Sequence, residues 1–219
     1  MILSLGHAVR AENPSSTPAT AGGSQLSPAQ SALFDTPHLS NVTSPETLRY
    51  AYRQVGADEF SDTILVHVKE INADGTKNLS FDYLTGSHRI AYPTIADFHG
   101  NPLLMLVLDQ DVDDMNKAVG LSQAYLRNRI REAFLNAPIT ATTANAAGQP
   151  LPARLIKIKP FAGLERLERI PSLQNKTYSF TLSESLPGMI ASIAIETPSD
   201  PALNAAAFAK TITFEGVSP

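Results

Sequence analysis

Cysteine is absent from this sequence of 219 residues. Without it the chain can form no disulfide bond, no thiolate nucleophile and no zinc or iron–sulfur site that needs sulfur ligands. Long apolar runs are absent as well, since no window approaches the roughly 18 consecutive apolar residues that a membrane-spanning helix requires. The sequence therefore predicts no transmembrane segment.

Positive charge is scarce too. The chain has 17 Lys and Arg against 21 Asp and Glu, which gives a formal net charge of −4, and it contains no long basic run. A mild acidic excess of this kind argues against nucleic acid as a partner. With 43% hydrophobic residues the chain is nevertheless apolar enough to fold around a core, as one domain or as one domain with a tail.

Composition divides the chain into three parts. Residues 1–11 resemble the back end of a secretory signal peptide without its basic start, and they indicate a periplasmic or secreted bacterial protein. An unstructured cytosolic N-terminus is the alternative. Residues 12–44 are dominated by Ser, Thr, Pro and Gly and carry two charges, a composition that predicts a disordered tether. Residues 45–219 are then expected to form a single folded domain.

Alternation of apolar and polar residues predicts strands through most of this domain. The clearest runs lie at 48–53, 64–68, 79–83, 139–143, 154–159, 177–183 and 189–196. Asn72-Ala73-Asp74-Gly75 predicts a hairpin turn, and residues 163–170 are expected to form a short helix. Ser44-Pro45-Glu46 also fits a helix start, which leaves a helix as the alternative to the first strand.

A helical hairpin interrupts the strands. Six consecutive apolar residues, 103–108, predict a strand covered on both faces. A helix is expected to begin near Asp109, because four aspartates gather there and the positive end of a helix dipole favours acids. A second helix over 122–136 carries an apolar stripe of Leu126, Ile130, Ala133, Phe134 and Ala137.

The order of these elements decides the fold class. Strands precede and follow the hairpin and do not alternate with helices, so a Rossmann-type sheet is excluded. The sequence predicts an α+β fold, in which a curved, half-barrel-like antiparallel sheet packs against one main helix or helical hairpin.

The second helix supplies most of the candidate ligand-binding residues. Arg127 and Arg131 are one turn apart and share a face, so their guanidinium groups can clamp a carboxylate or phosphate. Tyr125 and Asn128 lie in the same stretch, and Tyr83 belongs to the aromatic residues that recur on single strand faces. A solvated helix face, paired with nearby carboxylates, is the structural alternative.

Other chemistries find little support. The aspartates of 109–114 resemble the start of a calcium loop, but Asp114 and Gly120 stand where an EF-hand needs Gly and Glu. The five histidines show no metal-binding spacing, and no nucleophile elbow or phosphate-binding loop is present. We predict no metal site, no cofactor and no catalytic residue, with a hydrolase of unrecognised type as the enzymatic alternative.

Four stretches look familiar together. They are Gly100-Asn101-Pro102, Asp111-Val112-Asp113-Asp114-Met115, Tyr125-Leu126-Arg127-Asn128-Arg129-Ile130-Arg131 and Tyr178-Ser179-Phe180-Thr181-Leu182-Ser183 with Pro187-Gly188. They resemble an uncharacterised family of exported, periplasmic bacterial proteins of unknown function over roughly residues 45–200. The resemblance implies export and a single domain, and it carries over no catalytic residue.

These features together predict a non-enzymatic periplasmic binding or carrier protein. Its sheet and helix are expected to enclose an apolar groove for a lipid-like ligand or an apolar envelope partner, in an arrangement similar to lipoprotein-carrier half-barrels. The groove-lining aromatics are Tyr50, Tyr52, Phe81, Tyr83, Tyr178 and Phe180. Two alternatives stay open: these aromatics form the core, or the chain is an adaptor that docks an acidic partner through Arg127 and Arg131.

Overall fold

Nine strands pair in one antiparallel sheet in the computed structural model, which describes residues 26–56, 58–146, 148–167, 171–199, 201 and 206–219. The strands are β1 Glu46–Val55, β2 Phe60–Ile71, β3 Lys77–Tyr83, β4 Ile95–Phe98, β5 Ile139–Ala146, β6 Gln149–Ile158, β7 Thr177–Leu182, β8 Ile190–Thr197 and β9 Phe208–Ser218. The α-helical segments are α1 Pro28–Gln30, α2 Leu103–Val119, α3 Gln123–Ala133 and α4 Pro171–Gln174. Among the described residues, no helix combines the length and apolar character needed to cross a membrane.

The strand order explains why helices must lie across the sheet. It runs β4-β3-β2-β1-β9-β8-β7-β6-β5, so two meanders are joined where the first strand pairs with the last. The chain therefore leaves one edge at β4 and re-enters at the opposite edge at β5. Helices α2 and α3 make this crossing over one face of the curled sheet, which confirms the α+β class and the helical hairpin.

Period-two burial produces the two faces of the sheet. In β1 the side chains of Leu48, Tyr50 and Tyr52 are buried, whereas Arg49 and Arg53 between them are exposed. The alternative of a helix after Ser44 is wrong. Such alternation identifies a half-buried strand from sequence alone.

The start of α2 corrects the sequence prediction. Residues 103–108 are the first turns of this helix and not a strand, and the helix does not begin near Asp109. Leu103, Leu104 and Val107 are buried, while Met105 is exposed. This is the burial period of a helix, which an unbroken run of six apolar residues conceals.

Asn101 fixes the point where α2 begins. Its Oδ1 accepts a hydrogen bond from the Leu103 amide at 3.1 Å, and its Nδ2 donates to the Tyr50 hydroxyl at 3.0 Å and the Gly188 carbonyl at 3.1 Å. Gly188 has φ 73°, and an added Cβ would lie 2.6 Å from Leu48 Cδ1. One buried amide thus accepts a hydrogen bond from the first amide of the helix and connects the helix start to β1 and to the turn before β8.

The aspartates lie in the middle of α2 rather than in its first turn, which is a second correction. Asp111 is buried, and its carboxylate accepts hydrogen bonds from Lys176 Nζ at 2.8 Å and from the Tyr178 hydroxyl at 2.6 Å. Burial, followed by the charge of Asp111, raises the pKa of the Tyr178 hydroxyl well above its usual value. Separating Asp111 from Lys176 would leave two buried charges without a counter-charge, which is costly. The cluster therefore fixes α2 against β7.

The second helix and the C-terminal strands agree with the sequence. Ser122 caps α3 by accepting a hydrogen bond from the Tyr125 amide, and Leu126, Ile130 and Phe134 of the predicted stripe are buried. Of the short helix expected at 163–170, Glu165–Leu167 form a 3-10 turn. Residues 168–170 lie outside the described residues.

The predicted tether of 12–44 requires a correction in its second half. Residues 1–25, which include the expected signal remnant, lie outside the described part of the chain. Residues 26–44 pack against the domain and bury Ala29, Leu33, Leu39 and Val42. Asn41 Nδ2 also donates to the Leu186 carbonyl at 2.6 Å. The prediction of disorder from composition is wrong for residues 26–44, because a segment that packs onto an existing core needs only a few apolar side chains.

The Asp111 cluster generates the first prediction. Asp111→Asn leaves the Lys176 ammonium buried without a counter-charge, and we expect the free energy of unfolding to fall by about 3–5 kcal/mol. Asp113→Asn is the matched control, because Asp113 lies on the same helix but pairs with the exposed Lys117 and should cost little. Urea unfolding measures both losses, and equal small losses would contradict the role given to Asp111.

Candidate functional site

A cleft of about 480 Å³ lies between the N-terminal segment, α2 and α3. Its floor is formed by Val112, Ile130 and Phe134, which are buried parts of the core. Its upper walls are apolar as well, with Leu108 and Met105 contributed by α2. The cleft therefore exposes apolar surface that is continuous with the interior of the protein.

Exposed apolar side chains converge on this cleft. Of the six large hydrophobic side chains that are exposed among the described residues, three line it: Leu26 at 48% exposure, Phe34 at 45% and Met105 at 44%. Single exposed apolar residues are common, but a contiguous apolar patch on a soluble domain indicates a binding surface.

The N-terminal wall of the cleft has an unusual helical geometry. After α1 the chain continues as a π-helix over Ser31–Asp35. Ala32 and Leu33 point into the core, while Phe34 faces the cleft and meets the Phe134 ring edge-on at 5.4 Å between centroids. π-helical turns are rare and frequently occur at functional sites.

Polar contacts attach this wall to the end of α3. The Ser27 hydroxyl donates to the Phe134 carbonyl at 2.7 Å and accepts a hydrogen bond from the Gln30 amide at 3.2 Å. Gln30 Nε2 donates to the Arg131 carbonyl at 3.4 Å. These two carbonyls at the end of α3 also accept backbone hydrogen bonds, Arg131 from the Phe134 amide and Phe134 from the Ala137 amide, so the wall adds a second donor to each.

His38 holds the wall from its other end. It is buried, and its Nε2 donates to the Ala32 carbonyl at 2.8 Å. Burial lowers the pKa of His38 below its ordinary value of 6.5, and this effect exceeds the opposing effect of the Ala32 carbonyl. The folded protein therefore favours the neutral imidazole.

This gives a prediction for the dependence of stability on pH. Because the folded state holds the pKa of His38 below 6.5, the unfolded state binds more protons as the pH falls. The stability that comes from burying a neutral His38 is fully present above pH 6.5 and is lost as the pH falls through the folded-state pKa of His38. Between about pH 7.5 and about pH 5.5, the free energy of unfolding in urea should fall in the wild type and should fall less in His38→Gln. An equal dependence of this free energy on pH in the two proteins would contradict the prediction.

Charged groups stand at the mouth of the apolar cleft. Arg127 Nη2 lies 2.6 Å from Asp109 Oδ1, and this pair is about half exposed. Arg131 is exposed, and its Nη1 lies 3.5 Å from Asn128 Oδ1. In the part of the chain that the structure describes, no carboxylate lies within ion-pair distance of Arg131, so the mouth carries one uncompensated positive charge.

The structure separates the five residues that the sequence proposed as a site. Arg127 and Arg131 both line the cleft, as their spacing on one helix face suggested. Tyr125 is half-buried and Asn128 contacts Arg131, but neither is among the described residues that line the cleft. Tyr83 is fully buried in β3, away from the arginines.

The interior of the sheet is not the expected groove. The aromatics proposed to line it, which are Tyr50, Tyr52, Phe81, Tyr83, Tyr178 and Phe180, are all buried core residues. A cavity of about 140 Å³ lies next to Tyr52 and Tyr83, below the range of roughly 300–1,000 Å³ that is typical of small-molecule sites. Burial raises the pKa of the Tyr83 hydroxyl well above its ordinary value. Core is therefore the correct one of the two interpretations that the sequence left open.

Sequence reasoning missed the apolar residues of the cleft. Leu26 and Phe34 fall in the segment assigned to the tether, and Met105 falls in the run assigned to a buried strand. The sequence carried one usable signal, Leu33-Phe34, an apolar pair inside a segment that is otherwise polar. Its neighbours across the cleft come from distant parts of the chain, so no local spacing identifies them.

Other surfaces offer less. A groove of about 550 Å³ runs along β6 to β9, and Lys157, Lys159 and Glu196 line it together with Phe208 and smaller apolar side chains. A ligand there would meet charges of both signs among the apolar groups, and none of the six exposed large hydrophobic side chains of the described residues lines this groove. In the described ranges, no group of three or more His, Asp or Glu side chains is placed to hold a metal ion.

Comparisons with known proteins add little to this geometry. No family model matches the chain, and no curated protein matches it either. Among solved structures, it is similar to the Mycobacterium tuberculosis lipoprotein LppX, with 10% identity, a TM-score of 0.32, and coverage of 82% of this chain and 90% of that chain. A similarity at this level transfers neither fold nor function, and the site is interpreted from its own residues.

Proposed function

We propose that this chain is a non-enzymatic binding protein that holds a lipid-like ligand in the cleft between the N-terminal segment, α2 and α3. One observation carries the proposal: Leu26, Phe34 and Met105 are exposed together over a floor of buried core residues. Apolar area removed from water contributes about 25 cal/mol per Å² to binding. An apolar ligand in this cleft covers the surface that the free protein leaves in contact with water.

The size of the cleft supports a small molecule as the occupant. A volume of about 480 Å³ falls within the range of roughly 300–1,000 Å³ that is typical of small-molecule sites. The lining fits this class too, because it is mostly apolar and includes only a few charged groups. An alkyl chain satisfies such a surface without requiring hydrogen bonds from the protein.

Export belongs to the same proposal. The pattern of residues 1–11 and the resemblance to an exported family support a periplasmic or secreted location, where lipid-like molecules must cross an aqueous space. An adaptor that binds an acidic protein through Arg127 and Arg131 is the second candidate. It accounts for the arginines, but it leaves the exposed apolar side chains without a role.

The test is a titration with phenylnaphthylamine, a neutral dye that fluoresces in apolar sites, followed by displacement with tetradecanol. We expect the dye to bind at one site and the alcohol to displace it. Phe34→Ser should weaken binding about tenfold, which corresponds to roughly 1.4 kcal/mol of lost apolar contact.

Leu135→Ser provides the matched control. Leu135 is exposed to 47%, nearly the same as Phe34, but it does not line the cleft. Its replacement should leave the affinity for the dye unchanged, and thermal unfolding should show both variants folded. Absence of dye binding by the wild type, or equal effects of the two substitutions, would overturn the proposed function.

A further inference from the structure

We infer that the ligand of the cleft is a single-chain amphiphile with one negative charge at its head, and that Arg131 receives this head. The inference rests on the proposed function and deepens it by naming the ligand class. It is carried by one observation: the guanidinium of Arg131 lines an apolar cleft and has no carboxylate within ion-pair distance among the described residues. A fatty acid is the simplest molecule with this chemistry.

The charges at the mouth distinguish the two arginines. Arg127 and Asp109 form a contact of 2.6 Å and neutralise each other. Within the described ranges, the guanidinium of Arg131 has one hydrogen-bond partner, the amide oxygen of Asn128 at the outer limit of a hydrogen bond. Of the five N–H groups of a guanidinium, most therefore remain available, and its planar fork matches a carboxylate bidentately.

The backbone of Arg131 contacts the N-terminal wall of the cleft. Its carbonyl accepts a hydrogen bond from Gln30 Nε2, and Gln30 itself lines the cleft. Ile130 and Phe134, its neighbours on α3, form the apolar floor. Arg131 lines the same cleft as this floor, so its guanidinium is within the site that an apolar chain would occupy.

The charge balance also selects against other heads. Among the described residues that line the cleft, Arg127 and Arg131 are positive and Asp109 is negative, so a single negative charge on the ligand brings their total charge to zero. A quaternary ammonium head would add a third positive charge beside Arg131. The formal net charge of the whole chain is −4, but a Debye length of about 8 Å at physiological salt limits its repulsion at this rim.

A structural role for Arg131 predicts something different. Arg131 lies in the last turn of α3, where a cation interacts favourably with the helix dipole. If this were its only role, its replacement would change stability and leave the choice of ligand head unaffected. Head selectivity at constant chain length therefore separates the two roles.

The experiment compares three competitors of equal chain length against bound phenylnaphthylamine: tetradecanoate, tetradecanol and tetradecyltrimethylammonium, each below its micelle concentration. For the wild type we expect tetradecanoate to bind about tenfold more tightly than the alcohol, as one charge-assisted contact predicts. The ammonium compound should bind more weakly than the alcohol. Raising the salt concentration should reduce the preference for the acid.

Three variants assign the preference to Arg131. Arg131→Gln should remove it while the affinity for tetradecanol stays the same, and Arg131→Lys should retain part of it because the charge remains. Arg53→Gln is the control. Arg53 lies on β1, does not line the cleft and forms an exposed ion pair with Glu59. Its replacement removes an equal charge and should keep the full preference for the acid.

The outcomes separate the two proposals. Equal binding of acid and alcohol by the wild type, or a preference that survives in Arg131→Gln, overturns the headgroup inference and leaves the proposed function standing. Failure of every competitor to displace the dye, or failure of the dye to bind, overturns the proposed function. Loss of alcohol binding in a folded Arg131→Gln protein also overturns the inference, because the arginine would then shape the cleft rather than select the head.

Discussion

The register of α2 on the sheet is the constraint on which the other features depend. The sheet order forces the chain to cross from the β4 edge to the β5 edge, and α2 makes most of that crossing. Asn101 fixes its start, and Asp111 fixes its rotation through Lys176 and Tyr178. Buried ion pairs contribute little net stability, because desolvation of each ion costs several kcal/mol. Their effect here is to permit one rotation of the helix, the one that leaves Met105 facing outward.

The cleft follows from that rotation and from the segment that closes it. Helices α2 and α3 supply a floor that belongs to the core, so this half of the site forms with the fold. The other half is the segment around α1, which buries Ala29 and Leu33 in the core and is also held by hydrogen bonds of Ser27, Gln30 and His38. Both halves of the cleft are therefore attached to the same core.

Sequence reasoning succeeded where structure is periodic and failed where it depends on distant contacts. The strands and α3 could be predicted, since the period of apolar residues along each of them shows which side chains lie on its buried face. The first turns of α2 could not, because a short run of apolar residues on all sides hides the helical period and no capping residue marks the start of the helix. The Arg127 and Arg131 pair was accessible from spacing, whereas its apolar neighbours Leu26 and Phe34 were hidden in a segment judged by composition alone.

The π-helical turn of Ser31–Asp35 links that hidden segment to the use of the site. Phe34 is 45% exposed, although aromatic side chains are usually buried. Ala32 and Leu33 beside it are buried. The widened turn buries those two residues and keeps Phe34 at the surface against Phe134. A regular helix would have better hydrogen-bond geometry. The less favourable turn is therefore better explained by what it presents, an aromatic side of the cleft opposite Met105, than by what it contributes to the fold.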